Sequence, residues 1–378
     1  MQNKVSFVIN DYAFFRSHRL SLSRALSKHF DVQIITDLTK VDEEELAKIS
    51  SNKLKFFHLT KRKKSLNPVK FLNFIFKLKS ILINQQSNYI FFVSLENCFI
   101  GSIISKSIIS KNNFFLITGL QNTLHPYSFK GFIRKKIYKA AFGTLNNENN
   151  TFIFQNNFDQ ADFLKWYSKI KHELIEGNGV DLDKFHYVKR FEKSSYKNIK
   201  FLFASKLLKD KGFHEFIDAS IDIKKKYSNC SFHIAGELDL SNEQSITKDM
   251  FEMMIKNPEI NYHGHIQHSD MNIFLKKFDV LVLPSYREGL PSVAIEAAAT
   301  GMPLIVTDVP GCNSLVIDDK NGYLVKSHSS QSIKSAIQRI LKNPKKLKEF
   351  GKNSNLMIRT KFSIDKISKK YIDLINQC

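Results

Sequence analysis

The stretch LVLPSYREGLPSVAIEAAATGMPLIVTDVPG, residues 281–311, decides how the rest of the chain is read. It opens on a short apolar run that stops at Pro284 and Ser285, the composition of a buried strand. Residues 286–290 then read as a loop, and a helix is expected from Pro291, because proline has no N–H to leave unsatisfied at the first helical position. Strand, loop and helix in that order put the loop at the carboxyl edge of a parallel sheet, where ligands of open α/β sheets bind. The free amides of the helix start favour an anion, and Gly289 leaves the backbone open to close approach. Two carboxylates bracket this point, Glu288 before the helix and Glu296 inside it. A carboxylate repels phosphate but accepts hydrogen bonds from hydroxyl groups on either side of a diphosphate. A nucleotide sugar has that layout. The plain alternative is a solvated loop charge and an ordinary helix residue.

Working outward, the same alternation recurs along the chain. VSFVIN, DVQIITD, LKFFHL, YIFFVS, FFLITG, TFIFQN and HELIEG precede the middle; IKFLFAS, CSFHIAG, EINYHGH, DVLVLPS and MPLIVTD follow it. Near-continuous apolar strands between amphipathic helices predict parallel sheets covered on both faces, so the chain reads as α/β architecture repeated twice. Glycine, asparagine and aspartate cluster at residues 176–185 (EGNGVDLDKF) and mark a linker. The expected divisions are residues 1–176, residues 177–362 and a closing helix over 363–378. GNG lacks the third glycine and following helix of a dinucleotide fingerprint.

The long stretch resembles the signature of the retaining glycosyltransferases of family 4: two glutamates separated by seven residues, flanked by PS, G-x-P and G-x-P-x-[IV]. ASKLLKDKG, GNGVDLDKF and NGYLV extend the resemblance through the C-terminal half; it is looser in the N-terminal half. The resemblance implies the GT-B fold, two Rossmann-like domains facing across a cleft, the N-terminal one for the acceptor and the C-terminal one for a nucleotide sugar. It assigns Glu288 to the donor sugar, Glu296 to the ribose hydroxyls, and the amides at Gly289 and Leu290 to the diphosphate. It passes the loop holding His265 near the nucleotide base.

The basic loop in FLFASKLLKDKGFHEF offers Lys206 and Lys211 to neutralise the leaving diphosphate, where fixed cations stabilise the transition state more than the ground state. Where the family has glycine then arginine, this chain has Ser205 and Lys206, and a lysine lacks the bidentate fork. Retention suggests a carboxylate nucleophile by analogy with glycosidases. The resemblance implies instead that the departing phosphate oxygen assists deprotonation of the acceptor on the same face. No metal or other cofactor is called for.

The N-terminal half supplies acceptor candidates. After the first strand come Arg16, His18 and Arg19, in an SHR run that resembles a bacterial, polysaccharide-assembly branch of the family; they could meet donor phosphate or an anionic acceptor, or be solvated cations at a helix start. In the loop after FFLITG the family places a histidine before a glycine. Here Thr118 precedes Gly119, and His125 lies further on as a substitute. Residues 129–142 interleave Lys130, Arg134, Lys135, Lys136 and Lys139 with Phe129, Phe132, Ile133, Ile137 and Tyr138, and KRKKSLNPVKFLNFIFKLKSILIN is similar. On helices these give an apolar and a basic side, suited to anionic lipid or to ordinary packing under a basic face.

The formal net charge of +21 asks for anionic partners. No nucleic-acid motif appears, so a nucleotide sugar, a glycan or lipid-linked acceptor and an anionic membrane surface are the partners expected, and no nucleic acid. Four cysteines without a C-x-x-C pair fit a reducing compartment. His263, His265 and His268 cluster without acidic or cysteine partners at metal-ligand spacing. The N-terminus reads as a strand, not a leader, and no apolar run reaches the roughly 20 residues of a spanning helix. The expected place is the cytoplasm, on the inner face of the membrane. The reading is a retaining glycosyltransferase of a UDP-sugar for cell-surface polysaccharide such as capsule or lipopolysaccharide. Its rivals are a nucleotide-sugar epimerase on the same fold and a non-catalytic subunit of a polysaccharide-assembly complex.

Overall fold

The computed structural model describes residues 3–60, 68–120, 129–145, 149–190, 195–240, 242 and 244–378. Two compact units emerge: residues 1–179 with 364–378, and residues 180–363.

The first unit carries a seven-stranded sheet of order β3-β2-β1-β4-β5-β6-β7. The strands are β1 (Lys4–Val8), β2 (Asp31–Thr36), β3 (Leu54–His58), β4 (Tyr89–Val93), β5 (Asn112–Ile117), β6 (Asn150–Phe154) and β7 (Lys171–Leu174). All pair in parallel. The helices are α1 (Tyr12–His18), α2 (Leu20–Leu26), α3 (Glu43–Ile49), α4 (Pro68–Asn84), α5 (Leu95–Ile104), α6 (Phe129–Gly143) and α7 (Asn157–Leu164). Every residue of β4, β5 and β6 is buried, which is why their sequences show no polar alternation. Phenylalanines instead alternate between the two faces. Phe7, Phe91 and Phe114 stack across β1, β4 and β5 at 4.7 and 4.4 Å, while Phe92, Phe115 and Phe152 stack on the opposite face at 5.5 and 5.0 Å.

The second unit carries a six-stranded parallel sheet of order β10-β9-β8-β11-β12-β13. Its strands are β8 (Ile199–Ala204), β9 (Cys230–Ala235), β10 (Ile260–Tyr262), β11 (Val280–Leu283), β12 (Leu304–Thr307) and β13 (Gly322–Val325). Its helices are α8 (Phe213–Lys224), α9 (Lys248–Lys256), α10 (Met271–Leu275), α11 (Ser292–Ala299), α12 (Ser330–Lys342) and α13 (Lys346–Lys361). After α13 the chain returns to the first unit as α14 (Ile364–Asn376), whose Ile367, Tyr371, Leu374 and Ile375 join the core beneath α2.

In both sheets the strand order reverses once, between β1 and β4 and between β8 and β11. Crevices open at the carboxyl ends of such pairs. The second of them lies where the decisive stretch begins. β13 was not among the expected strands. It is four residues long and starts on Gly322, where a Cβ would meet the Leu304 carbonyl oxygen at 1.9 Å.

Candidate active site

The loops after β8 and β11 meet at the reversal point of the second sheet. A short turn, residues 209–211, follows β8 and ends on Gly212 in the left-handed region at φ 71°. A Cβ at Gly212 would stand 2.1 Å from the Pro284 carbonyl oxygen, so only glycine lets this turn lie against the end of β11. Gly311, at φ 83°, does the same from the β12 side: its Cβ would meet the carbonyl oxygens of Gly289 and Glu288 at 2.3 and 2.6 Å. Three loops are thereby packed backbone to backbone. The amide of Tyr286 donates to the Asp210 carbonyl at 2.8 Å, and its phenol donates to Glu215 at 2.6 Å; burial and that carboxylate push the phenol pKa up.

This packing brings two of the candidate residues together. Lys211 Nζ donates to Glu288 Oε1 at 2.8 Å, and Ser285 Oγ donates to the same oxygen at 2.8 Å. Thr307 Oγ1 in turn holds the Ser285 carbonyl. Glu288 is thus fixed by a cation and a hydroxyl, in a side-chain environment only 15% exposed. The Cys312 thiol, buried in the apolar core beside this loop, is pushed up to about 12, first by burial and then by the nearby Glu288 charge.

Pro291 caps α11 without a side-chain hydrogen bond, one position earlier than expected, and the helix starts at Ser292. The first amides of α11 therefore have no side-chain acceptor of their own. Glu296 stands on the same helix among buried Ala294, Ile295 and Ala297, and His268 Nε2 lies 2.9 Å from its Oε1. Leu290 is half-buried against the apolar core of this unit. Ser205 is half-buried and its amide donates to Ala235. Lys206 is exposed at the end of β8, its carbonyl accepting from the Leu208 amide and its ammonium making no hydrogen bond or ion pair among the described residues, and His265 is exposed on the loop after β10.

The three clustered histidines go separate ways. His263 Nε2 lies 3.0 Å from His233 Nδ1, His268 serves Glu296, and His265 stands apart. Among the described residues no group of three metal-ligating side chains converges.

The first unit corrects one expectation outright. Arg19, a candidate for a phosphate or anionic acceptor, is 0% exposed at the junction of α1 and α2, and among the described residues its guanidinium makes no hydrogen bond of good geometry, the Tyr371 phenol being the polar group nearest to serving it. It lies beside the Tyr371 phenol of α14, and burial lowers its pKa. A ligand cannot reach it there. Arg16 is paired within the protein, 2.5 Å from Glu45 Oε1, which also accepts from Tyr12. His18 stacks on Phe14 at 4.5 Å and meets Ser17 Oγ at 2.6 Å. Thr118 and Gly119 are half-buried after β5, and His125 lies outside the described residues. The reversal point of this sheet holds residues that sequence reasoning passed over. Asn10 donates to Ser94 Oγ at 3.3 Å, and Ser94 caps α5 at φ 86°, a strained value for serine. Their only sequence signal is position, at the ends of β1 and β4.

Residues 188–357 match the family described as glycosyl transferases group 1. That match spans most of the second unit, the one that holds Lys211, Glu288 and Glu296. A capsular polysaccharide biosynthesis glycosyltransferase, CapM, of Staphylococcus aureus is 27% identical over 227 residues, 54% of this chain and 59% of that protein. An N,N'-diacetylbacillosaminyl-diphospho-undecaprenol alpha-1,3-N-acetylgalactosaminyltransferase of Campylobacter jejuni is 26% identical over 77% of both chains. Among solved structures, a sucrose-phosphate synthase from Thermosynechococcus elongatus superposes with a TM-score of 0.82 at 19% identity, over 100% of this chain and 99% of that one. Anabaena Alr3699/HepE in complex with UDP and glucose gives 0.78 at 15% identity, over all of both chains. The expected GT-B architecture of two Rossmann-like sheets is the fold the chain shares with these solved structures.

Proposed function

We propose that this protein is a retaining glycosyltransferase that moves a sugar from a UDP-sugar to a glycan or lipid-linked acceptor in cell-surface polysaccharide synthesis. The observation that carries the reading is the Lys211–Glu288 pair, 2.8 Å long and backed by Ser285, at the β8/β11 reversal point and directly before the uncapped start of α11. The diphosphate would lie on the α11 amides with Lys211 and Lys206 beside it, Glu288 would hold the sugar, and Glu296 the ribose.

In the reaction the bond between the anomeric carbon and the phosphate oxygen breaks, and its electron pair leaves with UDP. The acceptor hydroxyl attacks the oxocarbenium-like carbon on the same face, and its proton passes to the departing phosphate oxygen. Glu288 positions the sugar and does not attack it. The lysines and helix amides neutralise the leaving group, so this reading gives no metal a part. The relatives' names, capsular polysaccharide and a diphospho-undecaprenol, support the acceptor class.

A membrane-surface location fits the outer helices of the first unit. Phe132, Ile133 and Ile137 of α6 are exposed beside Lys135, Lys136 and Lys139, and Val69, Leu72 and Phe76 are exposed along α4. Among the described residues no helix is long and apolar enough to cross a membrane.

The test is a panel of UDP- and GDP-sugars with lipid extract as acceptor, run on wild type and Glu288→Gln. Transfer should require a UDP-sugar and fall about a hundred- to thousandfold in the variant, with UDP still bound. Conversion of donor without acceptor would support epimerisation; a variant as active as wild type in polysaccharide assembly would support a non-catalytic subunit.

A further inference from the structure

Glu296 is the carboxylate that the proposed function gives to the ribose, and the structure surrounds it with apolar groups. Its neighbours on α11, from Ala294 to Ala299, are buried alanines and an isoleucine, and its own side chain is only 9% exposed. A carboxylate so placed needs a hydrogen-bond partner to offset its burial and to keep one rotamer. His268 is that partner, with Nε2 at 2.9 Å from Oε1. Oε2 has no hydrogen bond among the described residues, yet it is not sealed from solvent. One oxygen is held and the other is open.

The histidine is itself held from the other side. Lys184 Nζ donates to the His268 carbonyl at 3.1 Å, and the Phe185 ring lies 6.3 Å from the imidazole. Asp181 Oδ1 accepts from the amides of Asp183 and Lys184, so the turn supplying this lysine is itself ordered. The segment after β7 thus fixes the loop after β10, and that loop fixes a side chain on α11.

We propose that His268 is a positioning residue that orients Glu296 for the two hydroxyls of a nucleotide ribose, with Oε1 held and Oε2 presented. The inference rests on the reading of Glu296 as the ribose carboxylate. A carboxylate has about four acceptor positions, so one hydrogen bond from His268 leaves room for a diol.

The experiment compares the affinities of UDP and 2′,3′-dideoxyuridine diphosphate by calorimetry in wild type, Glu296→Ala, His268→Ala and His268→Gln. Wild type should prefer UDP, and Glu296→Ala should lose that preference. His268→Ala should reduce the preference about five- to tenfold, the worth of one ordinary hydrogen bond, while binding the dideoxy analogue as wild type does. His268→Gln, whose amide nitrogen stands near the position of Nε2, should restore most of it. General damage to the fold would weaken both ligands together and leave the preference intact, which would overturn the proposal. So would a His268→Ala protein that keeps the preference Glu296→Ala has lost. A wild type that does not distinguish the two ligands would instead remove the ribose role of Glu296 on which the inference stands.

Discussion

Each unit buries an arginine, and the two have opposite surroundings. Arg190, in the second unit, donates to the carbonyls of Phe278 at 2.8 Å and Leu275 at 3.2 Å, to Thr300 Oγ1 at 2.9 Å and to the Thr300 carbonyl. Burial lowers its pKa to about 10, yet every arm of the fork is used. Arg19, in the first unit, is more deeply buried, and among the described residues it has only the Tyr371 phenol beside it and no hydrogen bond of good geometry. Arg190 ties the residue entering β11 to the C-cap of α11, which are the two ends of the segment bearing Glu288 and Glu296. The segment bearing the two glutamates is therefore braced by a fully used guanidinium. The first unit relies on its aromatic core and carries its charge at a cost.

The sharpest way to break this comparison is to replace each arginine by methionine, which keeps the stem and removes the fork. Arg190→Met takes a donor from three carbonyls and a hydroxyl. The Leu275 and Thr300 carbonyls keep the amides of Phe278 and Val188, while the Phe278 carbonyl keeps no donor among the described residues. The substitution should cost the second unit about 2–4 kcal/mol. It should also weaken UDP binding by loosening α11. Arg19→Met removes an unpaired buried charge and should be neutral or stabilising by about 1–3 kcal/mol. Thermal unfolding of both variants checks the pair. A large loss of stability in Arg19→Met would mean that the guanidinium has acceptors after all, and the contrast would collapse.

A smaller effect separates two glycines of the second unit. Gly311 and Gly264 both have positive φ, 83° and 72°. A Cβ at Gly264 meets nothing within 4 Å, whereas at Gly311 it strikes the backbone of Gly289 and Glu288. Gly264→Ala should cost only the backbone term of about 1 kcal/mol. Gly311→Ala should cost about 2–3 kcal/mol and, because the loop it displaces carries Glu288, should lower transfer activity as well. Equal melting temperatures for the two variants would show that the loops are not locked as described.

Much of this was legible beforehand, and the exceptions share a cause. All seven strands of the first sheet overlap runs picked out in the sequence; for β4, β5 and β6 the reason is two-sided burial, which writes itself as an unbroken run, while the edge strands β3 and β7 are partly exposed and carry a weaker pattern. Glu288 and Lys211 stood out because both lie in loops directly after apolar strands. β13 escaped because four residues starting on glycine carry little pattern. Arg19 was misread because what buries it includes a helix some 350 residues later in the chain. His268 was weighed only with its sequence neighbours, while its partner sits 28 residues away on another element. Local chemistry can be read from spacing. Which side chain is turned onto which helix depends on long-range packing.

The smallest effect concerns pH and again sets the units apart. His233 on β9 is half-buried against Phe278 and His263, and burial, with the His263 and Lys200 charges adding, lowers its pKa to about 4 from 6.5. His263 is lowered as well, by burial first and then by Lys277. In the unfolded chain these imidazoles take up protons below pH 6.5, while in the folded unit His233 resists until about pH 4. The unfolded state therefore binds more protons in that window, so stability contributed by the pair is complete above pH 6.5 and is lost as pH falls towards 4. With His233 partly open to solvent, the loss should be about 1 kcal/mol. His233→Gln keeps a donor for the neighbouring groups and removes one titration, so its melting temperature should fall less than that of wild type between pH 6.5 and pH 4.5. Parallel curves for the two proteins would show that carboxylates, not this imidazole pair, set the acid limb.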